Sequence, residues 1–513
     1  MPRARALMVL GTASHVGKSV LAAALCRILR QDGFDVAPFK AQNMSLNSAA
    51  TPEGLEIGRA QAMQAEAAGL PPSVDMNPVL LKPSADARSQ LVLQGRVAGE
   101  VSARDYHRRR ARKVFGVVLE SYERLAARHR VIVLEGAGSP AEINLARNDI
   151  VNMRMAHAAR AACLLVADID RGGVFASLVG TLALLPRADR RRIRGFVVNR
   201  FRGDPSLFRS GVSYLERKLL RPCLGVVPYL RNIGVEEEDG VALDERRTVA
   251  RCWPDEAGRE RRLRVGVVAL PKMANFTDFD ALAAEPSVAL AYLTRPADIR
   301  RADLVIVPGS KQTLDDLRWL KRQGFASALG AHVAAGGRLL GVCGGMQMLG
   351  HEVVDGAGRE GGGRARGLAF LGVRTRLGSE KVTRRARATL REPSLFGRRV
   401  EETALEGYEI HLGATRYDDG TAPLFRLARE GQAGEVMDGA VGHGGRVIGT
   451  YLHGLFDSDA FRHAALRGLR AAAGLTAPRA LAPYTAERER RFDRLAEHFR
   501  RALDVERIEA WLR

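Results

Sequence analysis

The stretch Leu340-Gly341-Val342-Cys343-Gly344-Gly345-Met346-Gln347 reads as a short buried strand that breaks sharply at a cysteine and continues as a helix. Arg338, Leu339 and Leu340 lead in from the Gly336-Gly337 turn, and Gly341, Gly344 and Gly345 remove side-chain bulk where the bend is crowded. The pattern is the cysteine counterpart of the elbow that exposes a nucleophile between strand and helix. A buried structural cysteine beside a glycine turn would give similar text. What separates the two is a partner for the proton, because a free thiol, with a pKa of about 8.5, is mostly protonated at neutral pH.

A partner is found in Gly449-Thr450-Tyr451-Leu452-His453-Gly454-Leu455-Phe456, where a β-prone run from Arg446 to Leu452 ends at His453 and a glycine follows. A histidine at a strand end is well placed to be displayed. His411, in Gly407-Tyr408-Glu409-Ile410-His411, is the strongest rival, and separation along the chain does not rank the two.

Together these residues resemble the class I, triad-type glutamine amidotransferase domain. The loop Pro308-Gly309-Ser310-Lys311, after the apolar strand Leu304-Val305-Ile306-Val307, is similar to the loop that supplies that family's oxyanion-hole amides. The resemblance implies attack by Cys343 on the side-chain amide of glutamine, giving a thioester and ammonia, with His453 as base and then acid. One departure stands out: the family's glutamate two residues after the histidine is Leu455 here. The corrinoid-modifying branch shares that absence, so the expected site is a Cys343–His453 dyad.

With 513 residues, 46% of them hydrophobic, the chain is long enough for two to four domains with substantial cores. Its apolar runs fall well short of the roughly 18 to 20 residues that cross a bilayer. Met1-Pro2-Arg3-Ala4-Arg5 leads directly into a strand, so the expected location is cytoplasmic with no membrane partner. The cysteines (Cys26, Cys163, Cys223, Cys252, Cys343) are widely spaced without a CxxC pair, which argues against a disulfide framework or a zinc site. The net charge of +21 admits nucleic acid as a partner. However, the basic clusters Arg108-Arg109-Arg110 (with Arg112 and Lys113) and Arg190-Arg191-Arg192 are scattered and lack interleaved aromatics. The expectation is no nucleic acid, and salt-sensitive retention on nucleic acid would be the contrary sign.

A second chemical centre opens the chain. The strand Ala6-Leu7-Met8-Val9-Leu10 runs into Gly11-Thr12-Ala13-Ser14-His15-Val16-Gly17-Lys18-Ser19, and Leu21, Ala24, Leu25, Ile28 and Leu29 then recur at helical spacing up to Gly33. This is a phosphate loop one residue longer between its glycines than the standard motif. Gly11, Thr12 and Gly17 shape it for ATP, Lys18 neutralises the outer phosphates, and the hydroxyl of Ser19 reaches Mg2+. The long loop resembles the dethiobiotin synthetase branch of P-loop enzymes and lacks the signature lysine of the partition ATPases. Val131-Ile132-Val133-Leu134 ends in Glu135, a second candidate Mg2+ ligand. Phe196-Val197-Val198-Asn199 places Asn199 where related P-loop enzymes read adenine.

The most specific text lies in Lys40 to Ser48, Glu56 to Ala62, Asp75 to Pro83 and Glu135 to Leu145. Asp168 to Phe175, Asn199 to Asp204, Asn275-Phe276-Thr277-Asp278-Phe279-Asp280 and Gly407 to Gly413 extend it. These segments closely resemble the cobyric acid synthase family over nearly the whole chain. Ser84 and the loop at Arg147-Asn148 depart modestly from its pattern. Gln42, Asn43, Asn47, Gln61, Asn77 and Asn144 offer amides to a large polar substrate, although ordinary loop capping would also use them.

The resemblance implies ATP- and glutamine-dependent amidation of the b, d, e and g carboxylates of adenosylcobyrinic acid a,c-diamide, a corrinoid, to adenosylcobyric acid. It implies two three-layer α/β domains. Residues 1–230 would be a P-loop amidoligase and 231–261 a linker, with 262–460 a glutamine amidotransferase domain and 461–513 helices packed on it. Leu495, Phe499, Ala502 and Leu503 would form the inner stripe of those helices. Two alternatives stay open: a cobyrinic acid a,c-diamide synthase, against which Gln42-Asn43-Met44 and Gly138-Ser139-Pro140-Ala141-Glu142 argue, and a P-loop ATPase switch or scaffold. The sequence does not set the oligomeric state.

Overall fold

A computed structural model describes residues 4–83, 88–102, 106, 111–230, 253, 261–360, 362–478 and 481–513. Ser84, the cluster Arg108-Arg109-Arg110, Cys252 and nearly all of the expected linker 231–261 lie outside the described residues.

The N-terminal half is built on a six-stranded parallel sheet. In spatial order its strands are Cys223–Pro228, Ile193–Phe201, Ala162–Asp168, Arg5–Gly11, Val131–Glu135 and Val36–Phe39. Helices cover both faces, so the central strands read as continuous apolar runs rather than as alternation. Leu7 and Val9 pack into one core and Met8 and Leu10 into the other. The strand order reverses beside Arg5–Gly11, which puts the phosphate loop and the tip of Val131–Glu135 side by side at the carboxyl ends. A four-stranded sheet (Gln42–Met44, Val79–Pro83, Arg88–Leu93, Arg96–Ser102) and the ribbon Ser48–Ala50/Glu56–Gly58 carry the amide-rich segments.

The C-terminal half repeats the plan. Val288–Leu293, Leu263–Val268, Leu304–Val307, Arg338–Val342 and Val447–Thr450 lie parallel, and Ala440–Gly442 closes the edge antiparallel. A second, seven-stranded sheet, mostly antiparallel, is centred on the long strands Val373–Leu390 and Ala404–Tyr417; it ends at Leu452–His453. Val373, Thr375 and Leu377 point inward while Arg374 and Arg376 point to solvent. Part of the chain's excess of arginine therefore sits on a solvated sheet face.

The last helices divide between the halves, which corrects the expectation that all of 461–513 packs on the C-terminal half. Helix Asp459–Ala472 does so, with Phe461, Ala465, Leu466 and Leu469 in that core and buried Arg462 bonded to Glu285 at 2.8 Å. Helix Tyr484–Ala502 lies instead along Lys18–Gln31 of the N-terminal half, burying Phe492, Leu495, Ala496 and Phe499. Arg27 with Asp493 at 2.8 Å and Arg500 with Asp32 at 2.8 Å flank the seam. An amphipathic pattern shows which face is inner and says nothing about which surface receives it. Among the described residues no helix is long and apolar enough to cross a membrane.

Candidate active site

Cys343 stands between strand Arg338–Val342 and helix Gly344–Leu349 with φ +53° and ψ −111°, backbone that a side-chain-bearing residue adopts only when its surroundings enforce it. The enforcement is steric. A Cβ on Gly345 would overlap the Val307 carbonyl, and one on Gly344 would sit 2.9 Å from the Ser310 amide nitrogen. The loop Pro308 to Lys311 is thus pressed against the elbow. A Cβ on Gly309 would sit 3.6 Å from the His453 ring and 3.8 Å from Cys343 Cβ, so this loop borders both side chains.

Burial pushes the thiol of Cys26 well above its ordinary range, that of Cys163 to about 12 and that of Cys223 to about 11, in keeping with inert thiols.

His453 is buried beside Cys343, and its Nδ1 lies 2.6 Å from Asp278 Oδ2. Asp278 Oδ1 also accepts the Gly454 amide at 3.3 Å, which fixes the carboxylate. Burial would depress the ring's pKa, but the charge and hydrogen bond of Asp278, aided by the neighbouring thiol, raise it to about 10. The expected dyad is therefore a triad in geometry. The carboxylate missing at Leu455 arrives from a 3-10 turn, Phe276–Phe279, 175 positions away. An acidic residue between two buried phenylalanines, Phe276 and Phe279, was the signal available in the sequence.

The rival His411 is also buried in this cavity. It stacks on Tyr451 with centroids 3.8 Å apart and meets Glu409 at 3.4 Å. Its Nδ1 has no partner, and burial lowers its pKa, partly offset by Glu409. Its carboxylate, Glu409, lies at 3.4 Å against the 2.6 Å of Asp278 to His453 and is also held by Arg429 at 2.6 Å, so His411 is the lesser base and a wall of the cavity.

Lys311, Glu360, Lys381 and, from the N-terminal half, Lys82 also line this cavity. Lys82 and Lys381 both pair with Glu56, at 2.7 and 2.5 Å. The Lys311 side chain lines the cavity, and its ammonium makes no hydrogen bond to any described residue. Burial lowers its pKa although Glu360 opposes the shift, and burial raises that of Glu360 although Lys311 opposes it. Two buried groups held at unfavourable charge are suited to a ligand that carries both signs.

In the other half, Gly17 takes φ +93°, and a Cβ there would strike Asn199 Nδ2 at 2.3 Å. That amide donates to Val16 O at 2.8 Å and ties the Asn199 side chain to the phosphate loop. The Thr12 amide likewise donates to Val166 O at 2.9 Å and continues the sheet. Lys18 Nζ bonds to Ala13 O at 2.9 Å and Gly138 O at 3.2 Å, folded over the loop that Gly11 begins. Glu135 at the strand tip accepts from Ser19 Oγ at 2.7 Å, Lys40 Nζ at 2.8 Å and Gln64 Nε2 at 2.6 Å. Burial alone would raise the Glu135 pKa, but these partners, Lys40 foremost, hold it below the usual carboxylate range. Lys40 and Gln64 had no role in the sequence reading. Lys40 opens one of the specific segments and Gln64 lies just past the end of another, and only the fold brings them to Glu135.

A phosphate loop on a parallel sheet and a cysteine triad on a second α/β unit define a nucleotide-binding domain joined to a glutamine amidotransferase domain. The matching family models agree: a CobQ/CobB/MinD/ParA nucleotide binding domain over residues 7–242 and a CobB/CobQ-like glutamine amidotransferase domain over residues 264–461. The chain is 50% identical to a cobyric acid synthase of Syntrophobacter fumaroxidans, over 99% of this chain and 98% of the relative. It is 48% identical to one of Klebsiella pneumoniae subsp. pneumoniae (99% and 98%) and to one of Photorhabdus laumondii subsp. laumondii (98% and 97%). The chain belongs to the cobyric acid synthase family.

Proposed function

We propose that this chain amidates the b, d, e and g carboxylates of adenosylcobyrinic acid a,c-diamide, using ATP and ammonia taken from glutamine. The observation that carries the reading is the pairing of two complementary buried sites, a thiol triad and a phosphate loop, in one chain.

At the first, Cys343 attacks the glutamine side-chain carbonyl. His453 takes the thiol proton at Nε2 and returns it to the leaving nitrogen; the amides of Ser310 and Gly344 stabilise the oxyanion. Water, deprotonated by His453, then releases glutamate from the thioester. Lys311 and Glu360 suit the α-carboxylate and α-ammonium of the bound amino acid. Glu360→Gln is expected to raise KM for glutamine about tenfold with kcat changed less, measured as glutamate formation.

At the second site, the γ-phosphoryl group of ATP passes to a substrate carboxylate, giving ADP and an acyl phosphate. Ammonia displaces phosphate to leave the amide. Lys18 neutralises the transferring group, and Lys40 offers a second buried ammonium beside it. Ser19 Oγ and a Glu135 oxygen, adjacent in the structure, suit Mg2+, which takes few protein ligands and completes its shell with phosphate and water. When bound, Mg2+ would supply charge neutralisation at the phosphates.

Ammonia needs a sheltered route between the sites, and a buried polar tract runs that way. Asn275 meets Ser48; Ser48 Oγ bonds Glu56 at 2.8 Å; Gly58 donates to Asn77 at 3.2 Å; Asn43 bonds Gln61 at 2.8 Å; and Gln64 reaches Glu135. Asn47 Oδ1, Gln61 Nε2 and Gln64 Oε1 have no hydrogen-bond partner among the described residues and keep spare hydrogen-bonding capacity.

The product mass formed from the a,c-diamide, ATP and glutamine tests the reading. Adenosylcobyric acid is expected; consumption of cobyrinic acid in its place would favour the a,c-diamide synthase, and ATP hydrolysis without amidation would favour a switch protein.

A further inference from the structure

Asn275 sits at the seam between the halves with φ +54°, and its side chain touches both. The Ser48 amide of the N-terminal half lies 3.0 Å from one side-chain atom of Asn275. A backbone N–H only donates, so that atom is Oδ1 and the carboxamide orientation is fixed. The amide nitrogen Nδ2 then faces His453 Nε2 at 3.5 Å. Nδ2 also only donates, so it matches a ring whose proton is on Nδ1, toward Asp278, and opposes a proton on Nε2. Nε2 is the atom that must receive the Cys343 proton. Consistently, the Cys343 thiol is directed to Ile410 O at 3.5 Å.

We propose that Asn275 is a positioning residue that restrains His453 for as long as the Ser48 segment holds its carboxamide in this orientation, tying glutamine hydrolysis to the state of the synthetase loops. Ser48 belongs to the ribbon Ser48–Ala50/Glu56–Gly58, whose Glu56 binds Lys82 and Lys381. A movement of that ribbon when the corrinoid and ATP bind frees Asn275 Oδ1, the carboxamide turns over, and Oδ1 accepts a hydrogen bond from the protonated Nε2. The inference rests on the glutaminase reading of Cys343 and His453.

The test uses Asn275→Asp and Asn275→Gly in the full chain, both compatible with positive φ. Asparagine to aspartate keeps shape and the acceptor for Ser48 but turns the face toward Nε2 from donor to acceptor; glycine removes the group. Glutamate formation without ATP or corrinoid is expected to rise about tenfold in Asn275→Asp and to rise less in Asn275→Gly. In both, added ATP and corrinoid should stimulate hydrolysis less than in wild type, while amidation driven by ammonium chloride stays unchanged. Basal hydrolysis unchanged or lowered in both variants, with ammonium-driven amidation intact, would overturn the proposal. Loss of ammonium-driven amidation in both would overturn it too, assigning Asn275 to the architecture of the seam. A wild type that hydrolyses no glutamine under any condition would instead remove the glutaminase reading itself.

Discussion

Cys343→Ser is expected to lower glutamine-dependent amidation by about 10^4-fold while leaving amidation with ammonium chloride near the wild-type rate. Cys343 supplies the bond-forming atom for the thioester, and a serine hydroxyl at the same elbow is a far weaker nucleophile toward an amide without a base tuned to it. The phosphate loop, Glu135 and Lys40 lie on the other sheet, so the acyl phosphate still forms and meets dissolved ammonia. Parallel assays with the two nitrogen sources check this. Equal loss in both would mean that Cys343 serves the structure and not nitrogen supply.

Asp278→Asn has the second largest expected effect, about 10^3-fold on glutamine hydrolysis. The His453 ring is buried, and burial on its own lowers a histidine's pKa; the Asp278 carboxylate, aided by the Cys343 thiol, carries it up to about 10. The sign follows. In wild type, once Asn275 no longer opposes a proton on Nε2, the charged ring is favoured up to about 10, so the thiol proton has a resting place. With asparagine the ring is neutral throughout that range, and the amide also favours the wrong tautomer. Glutamate formation followed against pH checks this: in the variant it should be slow and climb with pH, as expected when hydroxide rather than His453 takes the proton. A variant whose pH profile matches wild type would remove Asp278 from the triad.

The two centres were legible because each is written within one short segment. An elbow needs its glycines beside the nucleophile, and a phosphate loop needs Gly17, Lys18 and Ser19 at a helix start. What failed to show were contacts between segments. Asp278 reaches His453 across 175 positions, Lys40 and Gln64 reach Glu135 only once the sheet is assembled, and Lys82 enters the glutaminase cavity from the other half. Asn199, near its strand end, likewise reaches another segment, the Val16 carbonyl beside the left-handed turn at Gly17. The second C-terminal sheet was hidden by composition: Val373–Leu390 alternates arginine with small or apolar residues, so its charge obscured a period of two. The helix Tyr484–Ala502 showed its inner stripe and not its partner.

The central claim is that nitrogen freed at Cys343 is used at the phosphate-loop site without passing through solvent. It is tested most directly by supplying amide-15N glutamine, ATP and the a,c-diamide with a large excess of unlabelled ammonium chloride near neutral pH, and measuring the mass of the product. The account predicts 15N in the new amides far above the isotope ratio of the bulk ammonium, despite the excess. Product carrying the isotope ratio of the bulk ammonium would contradict it.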